Sequence, residues 1–160
     1  MTRGTTLFLK LAVMMIGIPI LALCMFVVPE IGNYAAILYP EMAFINYLVF
    51  IVMYGAAIPF YVALYQAVKL LSYIDKNNAF SERSVRALKH IKYCAMIISI
   101  IYVGGMPIFY LIGEKDDAPG VIVIGMVIIF ASMVITVFAA VLQRLLKDAI
   151  DIKSENDLTV

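Results

Sequence analysis

Four apolar runs, roughly residues 7–28, 42–68, 91–113 and 121–142, leave this chain few folds to choose from. Each is about twenty residues or more, enough to cross a hydrocarbon core of ~30 Å at ~1.5 Å per helical residue. With 64% hydrophobic and 14% charged residues and a mean hydropathy of +1.01, a soluble globular domain is excluded. Four spans consume most of the 160 residues and leave no room for a second domain. The expectation is an all-α integral membrane protein, one domain over residues 1–160, with four transmembrane helices in an antiparallel bundle.

The basic residues orient that bundle. Arg3 and Lys10 precede or open the first run. Lys69, Lys76, Arg83, Arg86, Lys89 and Lys92 lie between the second and third, and Arg144, Lys147 and Lys153 follow the fourth. The two remaining gaps hold Lys115 alone. Short loops rich in Lys and Arg stay in the cytoplasm, so both termini and the loop 69–90 are expected inside. Glu30, Glu41, Glu114, Asp116 and Asp117 against Lys115 give the outer end a net −4; eleven bases against six acids give the inner end +5. A basic inner rim also suits anionic lipid headgroups, and that reading stands beside any partner-binding one.

The first run begins with basic residues and contains Leu21-Ala22-Leu23-Cys24, which looks like a lipoprotein box. Leu23 is too large before such a cysteine, and the chain stays apolar through Val28, so the run is read as a retained helix. Cys24 and Cys94 fall at opposite depths, ~20 Å apart along the helices. A disulfide needs Cα atoms within ~7 Å, so the two are expected to remain free thiols.

Pro29, Pro40 and Pro119 read as helix boundaries. This leaves outer loops of thirteen residues (Pro29 to Glu41) and seven (Glu114 to Gly120), too short for a receptor domain. No Asp, Glu, Lys, Arg or His sits in the middle of a run, which argues against a pump or ion-coupled carrier. Asn46 and Gln66 are the strongest polar groups of the second run, while Ser99, Ser132 and Thr136 are expected to bond to carbonyls of their own helices.

Tyrosine precedes proline by five residues in both Tyr54–Pro59 and Tyr102–Pro107, a faint inverted repeat of the kind some transporters carry. Tyr47, Tyr54 and Tyr61 recur every seven residues, a stripe that fits either a cleft or a packed seam. Ser132, Thr136 and Ala140, with Gly104 and Gly105, mark faces where helices approach closely. Tyr39, Tyr73, Tyr93 and Tyr110 suit the membrane interface.

In the central loop, helix is expected through Asp75, ending at Asn77-Asn78. Ser81 then reads as an N-cap with Glu82 favoured by the helix dipole. Val85, Leu88 and Ile91 repeat every three residues while Arg83, Arg86, Lys89, His90 and Lys92 take other faces, so a hairpin projects into the cytoplasm. Residues 143–153 extend the fourth helix, followed by an acidic tail, 154–160, able to pair with the loop's bases at ~0–1 kcal/mol per exposed pair. His90 lacks companions at ligand spacing, so no metal is expected. No cofactor and no catalytic residue is expected either, because nucleophile–base sets and phosphate-binding glycine loops are missing from the sequence. Nor is direct nucleic-acid contact.

The loop Asn78-Ala79-Phe80-Ser81 with Ser84-Val85 and Leu88-Lys89-His90-Ile91 carries one resemblance. The ending Leu145-Leu146-Lys147-Asp148-Ala149 and Glu155-Asn156-Asp157-Leu158-Thr159-Val160 carries it further. Over essentially the whole chain these segments resemble the YoaS-like bacterial family of small four-helix membrane proteins, a domain of unknown function. The resemblance implies a multi-pass protein of the bacterial cell (inner) membrane. It also implies a neighbour, because members are commonly encoded beside a very short helix-turn-helix regulator of the Cro/CI type. The expected function is a membrane regulatory protein whose cytoplasmic face holds that regulator through Arg83, Arg86, Lys89, Lys92, Arg144, Lys147, Glu155 and Asp157. Two alternatives stay open: small-molecule export through a cleft lined by Tyr47, Tyr54 and Tyr61, and a membrane-subunit or immunity role acting through the spans, homo-oligomers included.

Overall fold

In hydrocarbon every backbone N–H and C=O must find a partner within its own segment, which turns each apolar run into helix. The computed structural model describes residues 3–42, 44–115, 117 and 119–158. Asp116 of the acidic end and Thr159 and Val160 of the tail lie outside them. The elements are α1 (Arg3–Ala22), a five-residue π-helical turn (Leu23–Val27), α2 (Val28–Leu38), α3 (Ile45–Asp75), α4 (Glu82–Lys115) and α5 (Gly120–Leu158). Four of the resulting helical stretches are long and apolar enough to cross a membrane: Gly4–Leu38, Ile45–Asp75, Glu82–Lys115 and Gly120–Leu158.

Pro29 does not end the first helix. The helix continues to Leu38, and the expected thirteen-residue loop shrinks to a short turn before Ile45. The π-turn is what admits the proline. The Val28 N–H reaches back five residues to the Leu23 carbonyl, so the helix widens by one residue just before a position that has no N–H to offer. The Cys24 carbonyl thereby loses both its regular donors, Val28 to Leu23 and Pro29 for want of a proton. The Tyr54 hydroxyl donates to it from α3 at 2.7 Å.

A second tyrosine repeats the device one heptad on, the Tyr61 hydroxyl donating to the Gly17 carbonyl at 2.8 Å. Two thirds of the tyrosine stripe is therefore a seam between α1 and α3. Hydrogen bonds between membrane helices are worth about 0.6–1.7 kcal/mol each. Tyr54→Phe and Tyr61→Phe together are expected to loosen α1 by about 1–3 kcal/mol on that scale, read as a lower melting temperature in detergent and faster proteolysis of the first helix.

The remaining contacts define the order of the helices. Gly17 faces Leu64 and Gly32 faces Phe50 across α1–α2 and α3, Gly105 faces Val52 across α4 and α3, and Gly125 faces Met106 across α5 and α4. The Ser99 hydroxyl, expected to bond within its own helix, instead donates to the Ile129 carbonyl of α5 at 3.3 Å, whereas Thr136 does bond back to Ser132 at 2.8 Å. Among the described residues α5 packs on α4 alone and α1 on α3 alone, while α2 packs on α3 and touches α4. The antiparallel bundle is therefore open, a row α1–α3–α4–α5 whose ends do not meet. As an inner member of the row α4 carries the longest set of buried residues, from Ser84 to Gly113.

The rest of the apolar surface faces outward. Met15, Phe26, Ile58 and Phe130 are 68–70% exposed, an arrangement stable only against lipid. At the end of the row carrying the 39–44 turn, Ala35, Ile45, Val49 and Ile112 form a buried cluster joining α2, α3 and α4. At the opposite end the α3–α4 hairpin closes as its residues predict. Asn77 takes the left-handed conformation at φ 61°. Its N–H bonds to the Ile74 carbonyl and the Asn78 N–H to the Tyr73 carbonyl, the paired bonds of a Schellman ending. Ser81 caps α4 through the Ser84 N–H at 3.4 Å, and both serine hydroxyls donate to the Asn78 carbonyl. Helix α5 runs on to Leu158, so the acidic tail is helical as far as that residue, five residues beyond the expected extension 143–153.

Candidate functional site

Two features carry charge or space beyond what packing requires, one at each end of the row. At the end holding the start of α1, the end of α5 and the 76–81 turn, α4 and α5 run side by side past the apolar runs. Lys92 on α4 and Gln143, Arg144, Lys147, Asp148 and Asp151 on α5 surround a polar groove of about 410 Å³ above Ala140. The four α5 charges repeat at three- and four-residue steps and so fall along one face. The Gln143 Oε1 atom is buried there without a hydrogen-bond partner. The arrangement offers cations, carboxylates and a spare acceptor together.

The groove takes in three of the expected partner-binding residues, Lys92, Arg144 and Lys147. Arg83, Arg86 and Lys89 are exposed on the first turns of α4 but do not line it, and the buried side of that segment is Ser84, Val85, Ala87 and Leu88. Glu155 and Asp157 are exposed on the last turns of α5, where residues 151–158 are exposed throughout. Asp148 and Asp151 are the groove residues that the basic pattern did not mark; their spacing from Arg144 on a helical extension is the signal for them.

The other feature is an apolar cavity of about 400 Å³ between α2 and α5. Val27, Ile31 and Tyr34 form one wall and Val121, Ile124 and Ile128 the other. The floor is Tyr102 and Phe109, whose rings stack with centroids 6.0 Å apart and planes 18° from parallel. Glu30, exposed at its rim, is the one charged residue in the lining. None of Tyr47, Tyr54 and Tyr61 lines this cavity; Tyr47 is exposed on the outer face of α3 and the other two hold α1. This cavity is not the cleft expected from the tyrosine stripe; the tyrosines that line it are Tyr34 and Tyr102. Glu30 was hidden by reading Pro29 as a helix end, which put it on a loop.

Cys24 and Cys94 are both free thiols, as their separation in depth required. Among the described residues no three His, Cys, Asp or Glu side chains gather where a metal ion can be held.

Four long apolar helices, an outward-facing apolar belt and polar features confined to the two ends define a polytopic membrane protein. The chain belongs to the family described as protein of unknown function (DUF2975), whose model matches residues 30–160 and so spans α2 to α5. It is 72% identical, over all 160 residues and the full length of both chains, to the "Uncharacterized membrane protein YoaS" of Bacillus subtilis (strain 168). No solved structure matches it.

Proposed function

We propose that this protein is a non-enzymatic membrane anchor, one functional unit over its whole length, whose basic end faces the cytoplasm and holds a small soluble protein. The observation that carries the reading is the mixed groove on α4 and α5. A surface serving only anionic lipid needs cations alone, and Asp148 and Asp151 between Lys92, Arg144 and Lys147 would repel a headgroup. A protein partner presents both signs and its own donors, which the groove's carboxylates and the unpaired Gln143 oxygen suit. The resemblance to the YoaS-like family supports a short helix-turn-helix regulator as that partner, kept from DNA while it is bound. The cell membrane of a bacterium, with both termini inside, is the location that fits the distribution of Lys and Arg.

The test is fractionation of a tagged neighbour-encoded regulator. With the intact protein the regulator sediments with membranes. Reversing Arg144 and Lys147 to Glu is expected to move most of it to the soluble fraction. Reversing Arg83, Arg86 and Lys89, outside the groove, or deleting residues 154–160 has a smaller effect, since exposed charges contribute about 0–1 kcal/mol each. A regulator that stays soluble beside the intact protein overturns the proposal.

A further inference from the structure

The cavity at the acidic end has the size and chemistry of a ligand site. Its volume of about 400 Å³ falls within the roughly 300–1,000 Å³ of small-molecule sites. Its walls are aliphatic apart from Tyr34, its floor is two stacked aromatic rings, and one carboxylate stands at its mouth. Glu30 follows Lys10 by twenty residues on one continuous helix. The two charges are thus about 30 Å apart along the axis, which puts the carboxylate at the membrane interface when Lys10 is at the other. The helices α2 and α5 make no contact with each other, and the cavity lies between them.

These features select the occupant. A neutral acyl chain fills the walls but makes no use of the carboxylate at the mouth. An anion meets Glu30 and an end whose net charge is −4. Lys115, the one basic residue in the two outer connections, lies with its ammonium 4.3 Å from the centre of the Tyr39 ring and is not part of the lining. A cation gains from the carboxylate and from the local negative field, and its apolar body from contact with Tyr102 and Phe109. We propose that the cleft between α2 and α5 binds a lipophilic monocation, which enters from the bilayer, sets its apolar body on Tyr102 and Phe109 and pairs its charge with Glu30. This does not depend on what the opposite end of the protein holds.

Tetraphenylphosphonium and tetraphenylborate, nearly identical in shape and opposite in charge, test it directly. Their binding is measured by equilibrium dialysis to the full-length protein in nanodiscs of zwitterionic phospholipid, with protein-free discs subtracted. Saturable binding of the phosphonium with little of the borate is expected. Glu30→Gln should weaken the phosphonium about two- to fivefold, as for a pair whose carboxylate is exposed. Ile124→Trp, at an exposed position on the cavity wall where a larger ring narrows the cleft, should abolish binding while the melting temperature is kept; if that variant fails to fold, Glu30→Gln decides. Equal uptake of both ions, no saturable uptake above the empty discs, or phosphonium binding unchanged in Glu30→Gln overturns the assignment.

Discussion

Gly105→Leu is expected to part α3 from α4 and cost this protein most of its stability in detergent, whereas Gly104→Ala one residue earlier is expected to be neutral or mildly stabilising. A Cβ on Gly105 would lie 2.7 Å from Val52 Cγ1 and 3.0 Å from Cγ2, while one on Gly104 has nothing within 4 Å. Val52 cannot turn aside, because a β-branched side chain in a helix has essentially one χ1 rotamer. The helices themselves must move, and overpacking of this kind costs about 1–3 kcal/mol for a small addition and more for a large one. At Gly104 the only change is helix propensity, which favours Ala over Gly by about 1 kcal/mol. Gly105→Ala combined with Val52→Ala should recover much of what Gly105→Ala loses, because contacting residues couple. Thermal unfolding of the four variants in one detergent measures all of this. Equal loss at Gly104 and Gly105 would remove the close approach as the cause.

Gly32 makes the useful contrast. A Cβ there would come within 2.5 Å of Phe50 Cε1, closer still, yet the atoms concerned are the far edge of a ring that can swing toward lipid. A smaller cost than at Gly105 is expected despite the shorter distance.

Alkaline phosphatase fused after Asp117 is expected to be active in cells, and the same enzyme fused after Leu158 inactive. The enzyme depends on disulfides that form only outside the reducing cytoplasm. The two sites lie at opposite ends of α5, so exactly one of them should report. Eleven of twelve Lys and Arg lie at the Leu158 end, and short basic loops are retained inside. Activity in the opposite order would invert the protein, place the mixed groove outside and end the anchoring role for a cytoplasmic partner.

Local signals in this chain are legible because they act within a few residues. Asn77 and Ser81 end and start helices through bonds to atoms at most five residues away, and both behave as their types predict. Pro29 departs from its local expectation for the complementary reason. Its missing N–H is compensated by a π-turn before it and by a hydroxyl thirty residues from Cys24 in the chain, a partner that no local rule exposes. The stripe at Tyr47, Tyr54 and Tyr61 was legible as a stripe, but its use as a seam depended on Gly17 and Cys24 presenting carbonyls to it. Lys92, Arg144 and Lys147 were legible as basic residues near the membrane; that they share a groove follows from the pairing of α4 with α5.

The sequence by itself determined that this protein has four apolar helices, where they begin and end to within a turn or two apart from the first, and how charge divides between their ends. Length and charge are properties of each segment against water and lipid, and they need no neighbour. Which helices touch was decided only in the tertiary structure. Lipid tails are as apolar as leucine, so burying an apolar face against protein gains little over leaving it in the bilayer. Contact falls instead to close fits such as Gly105 on Val52 and to hydroxyl–carbonyl bonds such as Tyr54 to Cys24. Those fits join the helices in a row, leave α2 and α5 apart with the cavity at Glu30 between them, and set α4 beside α5 to form the mixed groove.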